Sequence, residues 1–182
     1  MEEFAYIIDY LPQGLPGGNF GKREPLCYAV GDSEFKLFEL VPKPNATMNM
    51  GDRVYIGKET AERTQIDHVK RRVGYEELTH TAQSELEYVV SDIVMADQER
   101  FIKFYNEAEP VSLKKHMLEE LPGLGKKTMF AILDERKKGK FKDFTDLSTR
   151  VPLIKGAEKH IIKRIVLELS DPDRKHYIFV SK

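Results

Sequence analysis

The spacing of apolar residues changes period at Tyr75, and no other feature of the chain constrains its fold as strongly. Before that point apolar side chains alternate, as half-buried strands require. After it they recur every three or four residues, as one face of a helix requires. Phe4, Tyr6, Ile8 and Tyr10 set the alternation of a first strand, residues 4–10. Further strands are expected at 26–30, 34–41, 53–57 and 64–73, separated by turn signals such as Gly31-Asp32-Ser33. Helices are expected at 82–95, 97–106, 112–121 (N-capped by Ser112), 126–138, 143–150 and 158–169, with the apolar tail 177–180 packing back as a candidate strand. Five short strands followed by helices imply an α+β protein: a small OB-like β-barrel over 1–75, acidic connecting helices over 76–110, and a helical domain over 111–182.

The formal net charge of -1 hides a polarity along the 182 residues. Residues 1–75 carry 10 Lys/Arg against 11 Asp/Glu, residues 76–110 carry 2 against 9, and residues 111–182 carry 17 against 10. An acidic middle followed by a basic end suits a polyanion partner for the C-terminal part. The single Cys27 allows no intrachain disulfide and no multi-cysteine zinc site. The acidic start Met1-Glu2-Glu3 lacks the pattern of a signal peptide, and no apolar run is long enough to span a bilayer, so a cytoplasmic location is expected.

Residues 118–133, LEELPGLGKKTMFAIL, carry the functional reading. Leu118 and Leu121 lie one helical turn apart, Pro122 ends that helix, and Gly123 and Gly125 flank Leu124, which can plug the turn. Glycines suit a turn with positive φ and close backbone approach. A new helix then opens at Lys126 with its first N–H groups facing outward, an arrangement that binds phosphate. Lys126 and Lys127 add charge at the same place, and Thr128 adds a hydroxyl.

This pattern resembles the helix-hairpin-helix motif of DNA-repair, recombination and DNA-uptake proteins. Gly139-Lys140-Phe141-Lys142-Asp143-Phe144 resembles the linker of tandem motifs. A degenerate second copy follows at an offset of 30 residues, pairing Leu121-Pro122 with Val151-Pro152 and Leu124 with Ile154. Leu153 and Lys155 stand there in place of glycines, and Gly156 falls one place later. Lys155, Gly156 and Lys159 are its candidate contacts, with Lys163 and Arg164 adding charge. The N-terminal part resembles an OB- or S1-like barrel, which implies base stacking on aromatics; Tyr28, Phe35, Phe38 and Tyr55 are the candidates. Lys70, Arg71 and Arg72 form a second basic run. Over its whole length the chain resembles an uncharacterised archaeal family of predicted RNA-binding proteins. That resemblance implies no established catalytic activity; sequence-independent binding is expected because phosphate contacts carry no base information, with no cofactor, RNA slightly favoured by the barrel and the family resemblance, and DNA by the hairpin.

Enzyme signatures are weak. Gly17-Gly18-Asn19-Phe20-Gly21-Lys22, inside a loop expected over 11–25, fails as a phosphate loop because Pro16 and Arg23 replace its glycine and Ser/Thr. The five histidines show no paired metal spacing. Asp143 or Asp146 could serve a DNA glycosylase of the hairpin class, although Asp143 reads more simply as a helix N-cap. A protein-docking module working through the acidic helices is the non-enzymatic rival. The sequence leaves the oligomeric state open.

Overall fold

In a computed structural model, residues 1–16 and 24–182 are described; the glycine-rich run 17–22 lies outside them. The chain divides into two compact units, one of Met1–Val89 with Glu168–Lys182 and one of Val90–Leu167.

The first unit holds five strands, β1 (Phe4–Leu11), β2 (Leu26–Gly31), β3 (Leu37–Pro42), β4 (Arg53–Tyr55) and β5 (Ile66–Arg72), in the order β4-β1-β2-β3-β5. Each neighbouring pair is antiparallel, and the sheet curls into a half-barrel. All five lie within a few residues of where the sequence puts them. The concave core is built from one face of the pleat: Ile7 opposite Ala29 opposite Phe38, and Cys27 opposite Leu40. Burial pushes the Cys27 thiol up to about 12, so it behaves as an inert core group.

The other face carries a polar row across four strands. Asp9 lies opposite Tyr28, Tyr28 opposite Glu39, and Glu39 opposite Arg71. Asp9, Tyr28 and Glu39 are buried. They are hydrogen-bonded, as buried polar groups must be: the Tyr28 hydroxyl donates to Glu39 at 3.3 Å, and Arg71 donates to both Glu39 oxygens. The Thr79 hydroxyl donates to Asp9 at 2.6 Å and accepts the Ala82 N–H. One side chain thereby caps helix α1 (His80–Ala96) and ties its start to the sheet. The tail 177–180 is not a strand. The amides of Ile178, Phe179 and Val180 converge instead on one oxygen of the buried Glu168, so a carboxylate replaces a strand partner.

The second unit contains α2 (Gln98–Glu107), α3 (Lys126–Arg136) and α4 (Phe144–Arg150), with α5 (Ala157–Ser170) running out of it. Its core gathers Phe101, Tyr105, Leu118, Ile132, Phe144 and Ile161, all nearly or fully buried. The Tyr105 hydroxyl donates to the Ala157 carbonyl at 2.6 Å, and burial lifts the phenol well above its ordinary range. The expected helix 112–121 is absent; only a 3₁₀ turn, Met117–Glu120, forms there. Local bonds compete successfully with the helix. The Val111 and Ser112 amides both donate to the Lys115 carbonyl, and Ser112 Oγ accepts from Lys114. The cap is His116 rather than Ser112: its Nδ1 accepts the Leu118 N–H, while Glu119 reaches back to the His116 N–H.

Candidate nucleic-acid interface

The turn between Met117–Glu120 and α3 is shaped by one glycine. Gly123 has φ +77, the left-handed region glycine enters without strain. Gly125 has φ -77 and ψ 162, an ordinary extended conformation, and a Cβ there would meet nothing within 4 Å. Neither backbone geometry nor packing requires glycine at 125, contrary to the expectation that both glycines shape the turn. What a bare Gly125 does leave is open space in front of α3.

The amides of Gly125, Lys126, Lys127 and Thr128 have no hydrogen-bond partner among the described residues; the Met129 N–H is the first to close onto the helix, at Gly125. Lys126 and Lys127 are exposed and Thr128 is half-buried. Leu124 is only half-buried, so the plug of this corner is Leu121, 1% exposed, rather than Leu124.

The second turn is one residue longer. Val151-Pro152 matches Leu121-Pro122 in place, with Val151 buried as Leu121 is, yet α5 begins at Ala157, six residues after Val151, where α3 begins five after Leu121. Lys155 (φ 47) and Gly156 (φ 89) both adopt left-handed backbone and absorb the extra residue. The alkyl chain of Lys159 lies across Gly156, where a Cβ would come within 2.9 Å of it.

His160 joins the two turns, a role its sequence position does not reveal. Its Nδ1 lies 2.9 Å from the Pro122 carbonyl and its Nε2 lies 3.1 Å from the Ile154 carbonyl. Candidates from both turns are thus held on one scaffold. Arg164, by contrast, is 2% exposed and donates to the Glu120 carbonyl and carboxylate, so it lends no surface charge.

The segment between α3 and α4 is anchored by Arg150. It donates to the carbonyls of Glu135, Gly139 and Lys140, and its guanidinium lies 4.4 Å over the Phe141 ring. Asp143 caps α4 by accepting the Asp146 N–H. Asp146 accepts the Lys142 N–H and pairs with Arg150, which together hold its carboxyl below the usual range. Both aspartates are therefore engaged as capping groups.

In the sheet unit, Lys70, Arg71 and Arg72 lie on the edge strand β5. Lys70 and Arg72 are exposed, while Arg71 is held between Glu39 and Glu77. Three of the proposed stacking rings are core, Phe35, Tyr28 and Phe38 being at most 7% exposed, while Tyr55 is half-buried and packs edge-on against Phe4. An alternating strand pattern marks aromatic positions without saying which face is covered. Among the described residues no three His, Cys, Asp or Glu side chains gather as a metal site, and no helix is long and apolar enough to cross a membrane.

His116 supplies a pH test of the corner. Burial, with the nearby charge of Arg136, holds its imidazole below the ordinary 6.5, and the neutral ring accepts the Leu118 N–H. A depressed folded value means stability that is present above the unfolded pKa and lost as pH falls. Urea midpoints should therefore drop between about pH 7 and about pH 5.5, below the free-histidine value. His116→Asn, which caps without titrating, should flatten that slope; an unchanged slope would remove His116 as its source.

A curled antiparallel sheet joined to helical corners defines an α+β protein with a barrel-like first unit. The chain belongs to the family described as "Protein of unknown function (DUF655)", whose pattern it matches over residues 1–181. It is 44% identical over 181 residues to the uncharacterized protein MJ0038 of Methanocaldococcus jannaschii, covering 99% of this chain and 80% of that one. The crystal structure of Af1531 from Archaeoglobus fulgidus, of the same family, superposes with a TM-score of 0.91 at 40% identity, covering 99% of this chain and all of that one.

Proposed function

We propose that the protein binds a nucleic acid backbone, without catalysis and without reading sequence, through the turn at Gly123–Thr128, working as the first of two helix-hairpin-helix corners in a chain that also carries an OB-like half-barrel. The observation that carries this reading is Gly125. A glycine needed neither for φ nor for packing, in front of four unpaired amides and two exposed lysines, is accounted for by close approach of an anion. Phosphate contacts position a strand and carry no base information, which makes binding sequence-independent. Lys155, Gly156 and Lys159 of the second turn extend the contact, and Lys70 and Arg72 are secondary candidates. RNA is favoured slightly over DNA.

The test is a fluorescence-anisotropy titration of labelled single-stranded and duplex RNA and DNA at several salt concentrations. The Lys126→Ala, Lys127→Ala pair should lower the slope of log affinity against log salt by about 2, one for each lost phosphate contact. Gly125→Asp separates binding from folding. Aspartate is a better N-cap than glycine and favours the positive end of the helix dipole, so α3 should gain roughly 0.3–1 kcal/mol. The same carboxylate occupies the amides and repels phosphate, so binding should fall more than about tenfold. Unchanged binding in both variants would leave this corner a structural element and favour a protein partner.

A further inference from the structure

Beside α3 lies an open groove of about 500 Å³, a size suited to a small planar group. Met129 and Leu133 help to line it, and Leu113 and Phe130 border it while standing largely in solvent, Phe130 at 58% exposed. Apolar side chains this exposed mark an interaction surface when they are contiguous.

The charged groups lining the groove are mostly cationic. Lys114 and Lys126 are exposed and have no carboxylate partner among the described residues. Glu119 is committed to the His116 N–H, and Lys115 pairs with Glu120. An apolar floor with a free cationic rim suits a flat apolar group attached to an anion. Lys126 and Phe130 stand four residues apart on one helix face, about 6 Å along its axis. That is the separation of neighbouring parts of one nucleotide rather than of distant ligands.

We infer that this groove takes an unpaired nucleobase of a single strand, stacked on the Phe130 ring, while the strand's phosphate lies at Lys126. The inference rests on the backbone-binding reading above and adds to it a ligand form: a single strand, or a strand with a splayed base, in preference to an intact duplex. Stacking on an aromatic ring tolerates any base, so the contact remains sequence-independent.

The chain contains no tryptophan, so a fluorescent base can be followed without interference. The full chain is titrated into single-stranded oligonucleotides carrying a central 2-aminopurine, the same strands with an abasic position, and the corresponding duplexes. The parent should quench 2-aminopurine and bind the abasic strand several-fold more weakly. Phe130→Ala and Phe130→Leu should both lose the quench and weaken single-strand binding by roughly tenfold, with duplex binding and melting temperature unchanged. Phe130→Trp should keep both quench and affinity. If Phe130→Leu binds as the parent does, the groove is an apolar docking surface for a peptide and the stacking inference is overturned. Parent-like binding by Phe130→Ala overturns it too, while leaving the backbone reading intact. Failure of the parent to bind any oligonucleotide overturns both.

Discussion

Arg164→Ala is expected to cost about 2–4 kcal/mol of folding stability, from the cavity left by a large buried side chain and a backbone carbonyl left without its donor. The guanidinium is 2% exposed and donates through one nitrogen to the Glu120 carbonyl at 2.9 Å and to the Glu120 carboxylate at 3.2 Å. Alanine leaves that carbonyl without its donor and opens a void where one of the largest fully buried side chains had been. The carboxylate keeps Lys115 at 2.6 Å, so it is not abandoned, and Arg164→Met should therefore recover a good part of the loss by filling the space. Arg164→Lys should recover less, because a compact ammonium does not reproduce the guanidinium fork. Urea denaturation of the three variants ranks them, and a loss below about 1 kcal/mol for alanine would show that Arg164 is not a keystone. Glu120 immediately precedes the turn that opens onto α3, so Arg164 also ties that turn to α5.

The second large effect belongs to the sheet unit. Glu2 is 4% exposed, and its carboxylate accepts the amides of Ser33, Glu34 and Lys36, which hold the turn between β2 and β3. Burial raises its pKa while those three donors pull it back. The turn contains Phe35 at φ 58, a left-handed conformation that a bulky residue keeps only when its surroundings impose it. A Cβ on Gly31 would fall 1.6 Å from Glu2 Oε2. Gly31→Ala must therefore expel the carboxylate, and the three amides lose their acceptor together. The expected cost is about 2–4 kcal/mol, since hydrogen bonds to a charged group contribute about 1.5–3 kcal/mol each and do not add fully. A double-mutant cycle checks the cause: in a Glu2→Ala background the further change Gly31→Ala should cost little. A full additional cost there would place the strain in the backbone rather than in Glu2.

Much of the architecture follows from local pattern. Apolar runs between turn signals place the strands up to Val73: β1 by alternation, and β2 as a continuous apolar run because both of its faces are covered. The helical period places α1 and α2, an uninterrupted stretch without Gly or Pro allows α3, and the Asp143 cap marks where α4 begins, because capping is a local bond. The same locality misleads at Ser112, where a good N-cap residue is taken by a turn and His116 caps instead. Periodicity also does not distinguish a covered aromatic from an exposed one, so Tyr28, Phe35 and Phe38 suggest a stacking surface and are found in the core.

The candidate site divides in the same way. Residues 123–128 stand in one short segment whose glycines, lysines and helix start act on each other locally, so the sequence alone identifies them. What joins them to the second turn is non-local. His160 reaches a carbonyl 38 positions away, and Arg164 reaches one 44 positions away. No spacing rule marks such contacts, because which polar group receives them is decided by how helices pack. The sequence by itself therefore determined most of the elements and the residues of the first candidate turn. Only the tertiary structure decided that Arg71 and Arg164 are neutralised, that Gly125 leaves open space rather than shaping the chain, and that Phe130 stands free beside Lys126: burial and pairing are properties of the packed chain.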